Sequence, residues 1–252
     1  MIRSLFKQED MMNGLKRNVA RLFGNQGKLF ILAMDHAQCG LVEGLERPEE
    51  IISARAEAEL DGFLVNVGIA EIAENKLLHR KILLRTSSGG TALGDRFTNV
   101  HVNHVSPETA FNMGVDAVVM MLIMGGDDYL SVQSMARDVD AFHRYNIPVV
   151  VEILASDFAK TQSYEIQANG ARVAAELGAD VVKAFYTDNF ESVVADCPAP
   201  IILAGGPKGT DIFEVAASAV QCGVYGFAFG RNLFQNDDAG GCIRRLNGIL
   251  RG

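Results

Sequence analysis

What most constrains the fold of this chain is an alternation. Eight short apolar runs, "LFILAMD" (29–35), "GFLVNVG" (62–68), "KILLRTS" (81–87), "AVVMMLIMG" (117–125), "IPVVVEIL" (147–154), "VVKAFYT" (181–187), "PIILAGG" (200–206) and "GFAFGRN" (226–232), are separated by loops and helically spaced stretches. Near-continuous apolar strands of this length are those buried on both faces of a parallel sheet. The intervening segments "PEEIISARAEAELDG", "DDYLSVQSMARDVDAFHRYN" and "YEIQANGARVAAELGAD" carry apolar residues every third or fourth position and end in Gly or Asn, as crossover helices do. Three junctions into a strand are similar, "ELDGFLVNV", "NMGVDAVVM" and "ELGADVVKA", which read as helix-end glycines needing positive φ. Eight such units predict an α/β protein, a closed (β/α)8 TIM barrel forming a single domain over 28–252. An open doubly wound sheet is the alternative, although no G-x-G-x-x-G follows the first strand. Residues 1–27 read as an N-terminal helical extension that covers the barrel bottom or meets another subunit.

Composition narrows the setting. No apolar run reaches the ~20 residues that cross a bilayer, and the first 23 residues break their hydrophobics with charges, unlike a signal peptide. A cytoplasmic location is therefore expected. Cys39, Cys197, Cys222 and Cys242 are far apart and form no C-x-x-C pair, so neither a disulfide framework nor a zinc site is indicated. With 23 basic and 31 acidic side chains the net charge is −8, which opposes nucleic-acid binding and requires any anionic ligand to be held locally.

The chemistry of a barrel gathers at the C-terminal ends of its strands. In "GADVVKAFYT" a lysine interrupts an apolar strand; alternation puts Val181, Lys183 and Phe185 on one face, and a desolvated amine facing the lumen is suited to capturing a carbonyl. Strand one ends in Asp35 and His36, a carboxylate and an imidazole able to relay protons. Strands seven and eight end "ILAGGPKG" and "FAFGRN", where Gly205, Gly206 and Gly230 let backbone N–H groups approach a phosphate and Arg231 adds a charge. Counting by twos from Leu154 places Glu152 on the lumenal face of strand five, beside the lysine. His101 and His104 are three apart but lack a third ligand, so no metal is expected. "RTSSGGT" (85–91) either holds substrate hydroxyls or turns the chain.

The motifs "ILAMDHAQCG", "GADVVKAFYT", "PAPIILAGGPK" and "GVYGFAFGRNLFQ" resemble, in order and spacing over roughly 28 to 236, the class I aldolases of the archaeal fructose-bisphosphate aldolase type. That wider family includes a thiolase acting on phosphorylated autoinducer-2. The resemblance implies that Lys183 is the Schiff-base lysine. It places Asp35 and His36 in the substrate site, with the backbone at Gly206 and Gly230 and Arg231 on a phosphate, and implies a homo-oligomer, often a decamer, needing no cofactor. The archaeal aldolases carry an aromatic residue and an acid/base tyrosine four and six positions after the strand-five proline. Here those positions hold Glu152 and Leu154, and "LLRTSSGG" is similar to the thiolase branch. The expected activity is a lysine-dependent lyase acting on a phosphorylated keto compound. Thiolase-type acyl transfer, a non-covalent sugar-phosphate isomerase using Asp35 and Glu152, and a non-catalytic phosphosugar-binding protein are the alternatives.

Overall fold

The structure, a computed structural model, describes residues 13–94, 98–206 and 211–252. Its centre is a ring of parallel strands: β1 (Leu29–Ala33), β2 (Gly62–Val65), β3 (Lys81–Arg85), β4 (Ala117–Met124), β5 (Val149–Ala155), β6 (Val181–Ala184), β7 (Ile201–Ala204) and β8 (Gly226–Phe229). Each pairs with its neighbours in chain order, and β1 pairs with both β2 and β8. The ring is therefore closed, and the open-sheet alternative is excluded. Helix α1 (Gly14–Phe23) precedes it. The connections carry α2 (Pro48–Ala54), α3 (Val67–Ile72), α4 (Glu74–Leu77), α5 (Pro107–Asn112), α6 (Asp128–His143), α7 (Tyr164–Glu176), α8 (Phe190–Asp196) and α9 (Ile212–Cys222), and α10 (Arg231–Phe234) and α11 (Ala239–Arg251) follow β8.

Period-two alternation divides the core in two. Outward residues such as Phe30, Phe63, Val118, Val151, Leu203 and Phe227 pack under the helices. Inward residues Ile31, Leu64, Leu83, Val119, Val150, Val181 and Ile202 fill the lower lumen together with Leu22 and Phe23 of α1. That helix starts at Asn13, whose side chain accepts from Lys16 N at 2.8 Å, and Asn18 ties it to the Asn146 carbonyl at 2.8 Å. The bottom of the barrel is thus plugged with apolar side chains. One step further up, inward positions turn polar: Arg85 on β3, Glu152 on β5 and Lys183 on β6. Residues 1–12 of the expected N-terminal extension lie outside the described residues.

Three sequence expectations change. The strands end two to three residues before the apolar runs do, at Val65, Arg85, Ala184, Ala204 and Phe229, because the chain leaves the ladder at the rim and turns into loops. Helix α2 stops at Ala54 instead of running to the next strand; the guanidinium of Arg80 donates to the carbonyls of Ala56 and, at 2.6 Å, of Leu60, so these serve a turn. The repeated junction has its common element in an aspartate. Asp61, Asp116 and Asp180 each accept the first free N–H of the preceding strand: Phe30 N at 2.7 Å, Ile82 N at 2.8 Å and Val149 N at 2.8 Å. Gly114 and Gly178 do have positive φ, 65° and 101°. Gly62, however, is the first residue of β2, where a Cβ would lie 2.0 Å from the Lys81 carbonyl oxygen.

Candidate active site

Above the plug the lumen opens into a cavity of about 180 Å³. Its wall includes Asp35 and His36 after β1, Glu152 on β5, Lys183 on β6, Gly205 and Gly206 after β7, and Gly230 and Arg231 after β8. All eight residues singled out in the sequence therefore meet in one space. Residues 207–210, which continue the loop after β7, lie outside the described residues.

The floor is a chain of charges. Lys183 Nζ stands 2.8 Å from Glu152 Oε1, across a β5–β6 register that sets the two residues directly opposite. The other oxygen of Glu152 accepts from Arg85, whose Nε donates to Asp35 Oδ2 at 2.7 Å. Two cations and two anions thus neutralise one another with little water, since Arg85, Glu152 and Lys183 are each exposed by 5% or less. Burial alone raises the pKa of the Glu152 carboxyl, but the Lys183 and Arg85 charges reverse that and hold it below its ordinary value. Asp35 follows the same logic: burial raises it, and Arg85 followed by Lys183 brings it well below the usual carboxylate range. Both side chains are carboxylates at neutral pH.

His36 differs. Burial pushes its pKa down; Asp35 opposes this, and the charges of Lys183 and Arg231 add to it, so the ring is neutral near pH 7. Its ring packs edge-on against Phe234 at 5.4 Å, and its buried Nδ1 has no hydrogen-bond partner among the described residues. An oriented, neutral imidazole with a vacant nitrogen can accept or donate one proton at a substrate oxygen.

At the rim the glycines have a steric reason. A Cβ on Gly230 would come within 2.8 Å of the Ala33 carbonyl oxygen and 3.0 Å of His36 Cε1. One on Gly205 would meet Asn232 Oδ1 at 3.0 Å and the Gly230 nitrogen at 3.6 Å. The loops after β7 and β8 therefore touch backbone to backbone, with the exposed Arg231 beside them.

Arg85 escaped sequence reading, though its signal matched that of Lys183: a cation in an apolar strand, in step with Leu83 on the lumenal face. None of residues 85–91, the stretch "RTSSGGT", lines the cavity. Ser87 pairs with Asn103 in a small antiparallel ladder and its Oγ accepts from Met121 N at 2.8 Å, while Gln38 donates to the Gly90 carbonyl at 2.6 Å. Of the two readings of this stretch, chain turning is the one the structure supports. His101 and His104 sit in the strap that returns beside it, outside the cavity wall. His101 is buried, and burial followed by the Arg85 charge pushes its pKa down to about 4. Among the described residues no group of three or more His, Cys, Asp or Glu is placed to hold a metal.

A closed (β/α)8 barrel with a lysine–carboxylate pair at the floor of a rim cavity defines a barrel enzyme of the aldolase class. The chain belongs to the DeoC/LacD family of aldolases, whose family model matches residues 29–236. It is 34% identical over 230 residues, 88% of this chain and 76% of the relative, to the 3-hydroxy-5-phosphonooxypentane-2,4-dione thiolase of Enterobacter sp.. Its structure is similar to the crystal structure of an archaeal fructose 1,6-bisphosphate aldolase, with a TM-score of 0.85 and 30% identity over 94% of this chain and 99% of that one. A further structure of an archaeal fructose-1,6-bisphosphate aldolase, with the catalytic lysine covalently bound to the carbinolamine intermediate of the substrate, superposes with a TM-score of 0.83 at 29% identity, covering 94% of this chain and all of that one (100%). The protein is thus a class I aldolase-type carbon–carbon lyase.

Proposed function

We propose that Lys183 forms a Schiff base with the ketone of a small phosphorylated substrate whose phosphate rests on the backbone at Gly205, Gly206 and Gly230 and on Arg231. The observation that carries this reading is the lysine amine 2.8 Å from a buried carboxylate, on the floor of the cavity bounded by those glycines. Glu152 accepts the proton that Lys183 loses, and the free amine adds to the carbonyl carbon. The carbonyl oxygen takes up the proton that the nitrogen sheds on addition, and the proton held by Glu152 is then passed to it so that it leaves as water. The resulting iminium cation has the same charge as the ammonium, so the cluster of Asp35, Arg85 and Glu152 remains balanced. The iminium then draws in the electron pair of the adjacent C–C bond as it breaks. His36, with Asp35 beside it, relays the proton that the departing fragment loses.

The substrate class follows the relatives in part. The 34% identity to a 3-hydroxy-5-phosphonooxypentane-2,4-dione thiolase favours, as a second outcome of the same iminium, a thiolase-type acyl transfer from a five-carbon phosphorylated diketone: a thiol co-substrate adds to the second carbonyl, the C–C bond breaks toward the iminium, the acyl group leaves as a thioester, and the enamine left on Lys183 takes up the thiol proton. A non-covalent isomerase fits less well, because Glu152 is tied to Lys183 and Arg85 and is not free to serve as a lone base. No described helix is long and apolar enough to cross a membrane; a cytoplasmic homo-oligomer is the setting we propose. The test is product analysis with 3-hydroxy-5-phosphonooxypentane-2,4-dione in the presence of a thiol co-substrate, and with fructose 1,6-bisphosphate. Cleavage of the former, abolished in Lys183→Met, supports the reading; turnover of either compound by Lys183→Met contradicts it.

A further inference from the structure

Arg85 is the largest fully buried side chain, 2% exposed, and it is absent from the cavity wall. A charge in such a place is costly to strip of water, and lumenal neighbours such as Leu83 and Val119 show that apolar side chains fill this barrel. Packing alone therefore gives no reason for a guanidinium. What it does is join carboxylates from opposite sides of the lumen. Nε and Nη2 face Asp35 on the β1 side, and Nη2 also faces Glu152 on β5.

We propose that Arg85 is a positioning residue for the reaction: its fork holds Asp35 and Glu152 apart and keeps Glu152 an aligned base for Lys183, without touching the substrate. The inference rests on the Schiff-base reading and extends it. Two carboxylates converging on one buried spot without a cation between them share a proton. A protonated Glu152 cannot accept one from Lys183. A lysine at position 85 supplies charge but no planar fork, so it cannot hold both partners in register.

The charged and titratable groups around Arg85 all belong to this balance. Asp35 at the end of β1 and Glu152 on β5 contact it, Lys183 on β6 is linked to it through Glu152, His36 lies beside Asp35, and His101 on the strap feels its charge, with His104 next to His101. His36 and His101 are neutral at pH 7, both pushed down by burial first, so the working charges are two cations and two anions. Removing Arg85 leaves two anions around one ammonium, and every proton in the cluster becomes harder to remove.

The experiment follows reductive labelling of the full-length protein by dihydroxyacetone phosphate and cyanoborohydride across pH, with the modified residue located by peptide mass spectrometry. In Arg85→Met the pH midpoint of labelling moves up by about one unit or more, the scale of a lost neighbouring charge. Arg85→Lys, which keeps the charge and guards against misfolding, holds its midpoint near that of the wild type but labels about tenfold more slowly or worse, at unchanged half-saturating probe concentration. A wild-type midpoint in folded Arg85→Met, or a wild-type rate in Arg85→Lys, overturns the assignment. So does a loss that falls wholly on probe affinity, which would make Arg85 a substrate contact. Wild-type protein that labels anywhere but Lys183 overturns the Schiff-base reading and the role of Arg85 with it.

Discussion

Glu152 connects the two cations of the site, Lys183 through one oxygen and Arg85 through the other. Glu152→Gln keeps the shape but removes the proton acceptor, so kcat falls by ~10²-fold or more, the scale of a lost general base, while iminium trapping at Lys183 persists at a lower rate; steady-state kinetics beside trapping check both. A second prediction concerns His101. Its imidazole is held neutral in the fold, lowered from 6.5 to about 4, chiefly by burial. The unfolded chain therefore binds the extra proton first as pH falls, and stability drops between pH ~6.5 and ~4, by about 3 kcal/mol in total. Asp35 and Glu152, lowered against burial by their cations, lose their stabilising contribution at still lower pH. In His101→Gln the decline of Tm between pH 6.5 and 4 is shallower than in the wild type; an identical slope contradicts this. The sequence made Lys183 and Glu152 legible because period-two counting along a strand needs only one chain segment. Arg85 obeys the same count, but its meaning lies in contacts with β1 and β5, which are 50 and 67 residues away in sequence.

Among the elements, the rim glycines and the junction aspartates divide function from stability. Gly230→Ala places a methyl against the Ala33 carbonyl and the His36 ring, so both must shift. We expect a higher KM for the phosphorylated substrate together with a lower kcat, and about 1–3 kcal/mol lost to overpacking; unchanged kinetics would remove Gly230 from the site. At the opposite end, Asp180 accepts Val149 N and pairs with His143 at 2.9 Å, far from the rim. Asp180→Ala strands a strand-start N–H and costs about 1–3 kcal/mol in denaturant unfolding, with kcat/KM unchanged. The eight strands could be read from sequence because each is apolar on both faces. Their ends could not, since residues such as Val67 and Gly68 after β2, or Gly230 after β8, keep apolar or small character after leaving the ladder. The extent of α2 was also hidden: Ala56 and Leu60 fit a helical pattern, and only Arg80, brought in by the fold, shows where their carbonyls go.

For the whole molecule, the barrel sets an apolar plug below a neutral cluster of four buried charges and opens only at the glycine-lined rim. An amine in that position is open toward the rim, with the Glu152 carboxylate on one side and, above it, the glycines on which we propose the phosphate rests. In place of the strand-five tyrosine that the family resemblance implies, we propose that Glu152, in the lumen at the amine, and His36, whose Nδ1 has no partner among the described residues, carry the protons. The central claim is covalent, and mass spectrometry tests it most directly. The full chain is incubated with 3-hydroxy-5-phosphonooxypentane-2,4-dione and borohydride, then digested and mapped. The account predicts one adduct per chain, carried by the peptide containing Lys183 and absent from Lys183→Met; substrate turnover with no adduct at Lys183, or an adduct of equal yield in Lys183→Met, contradicts it.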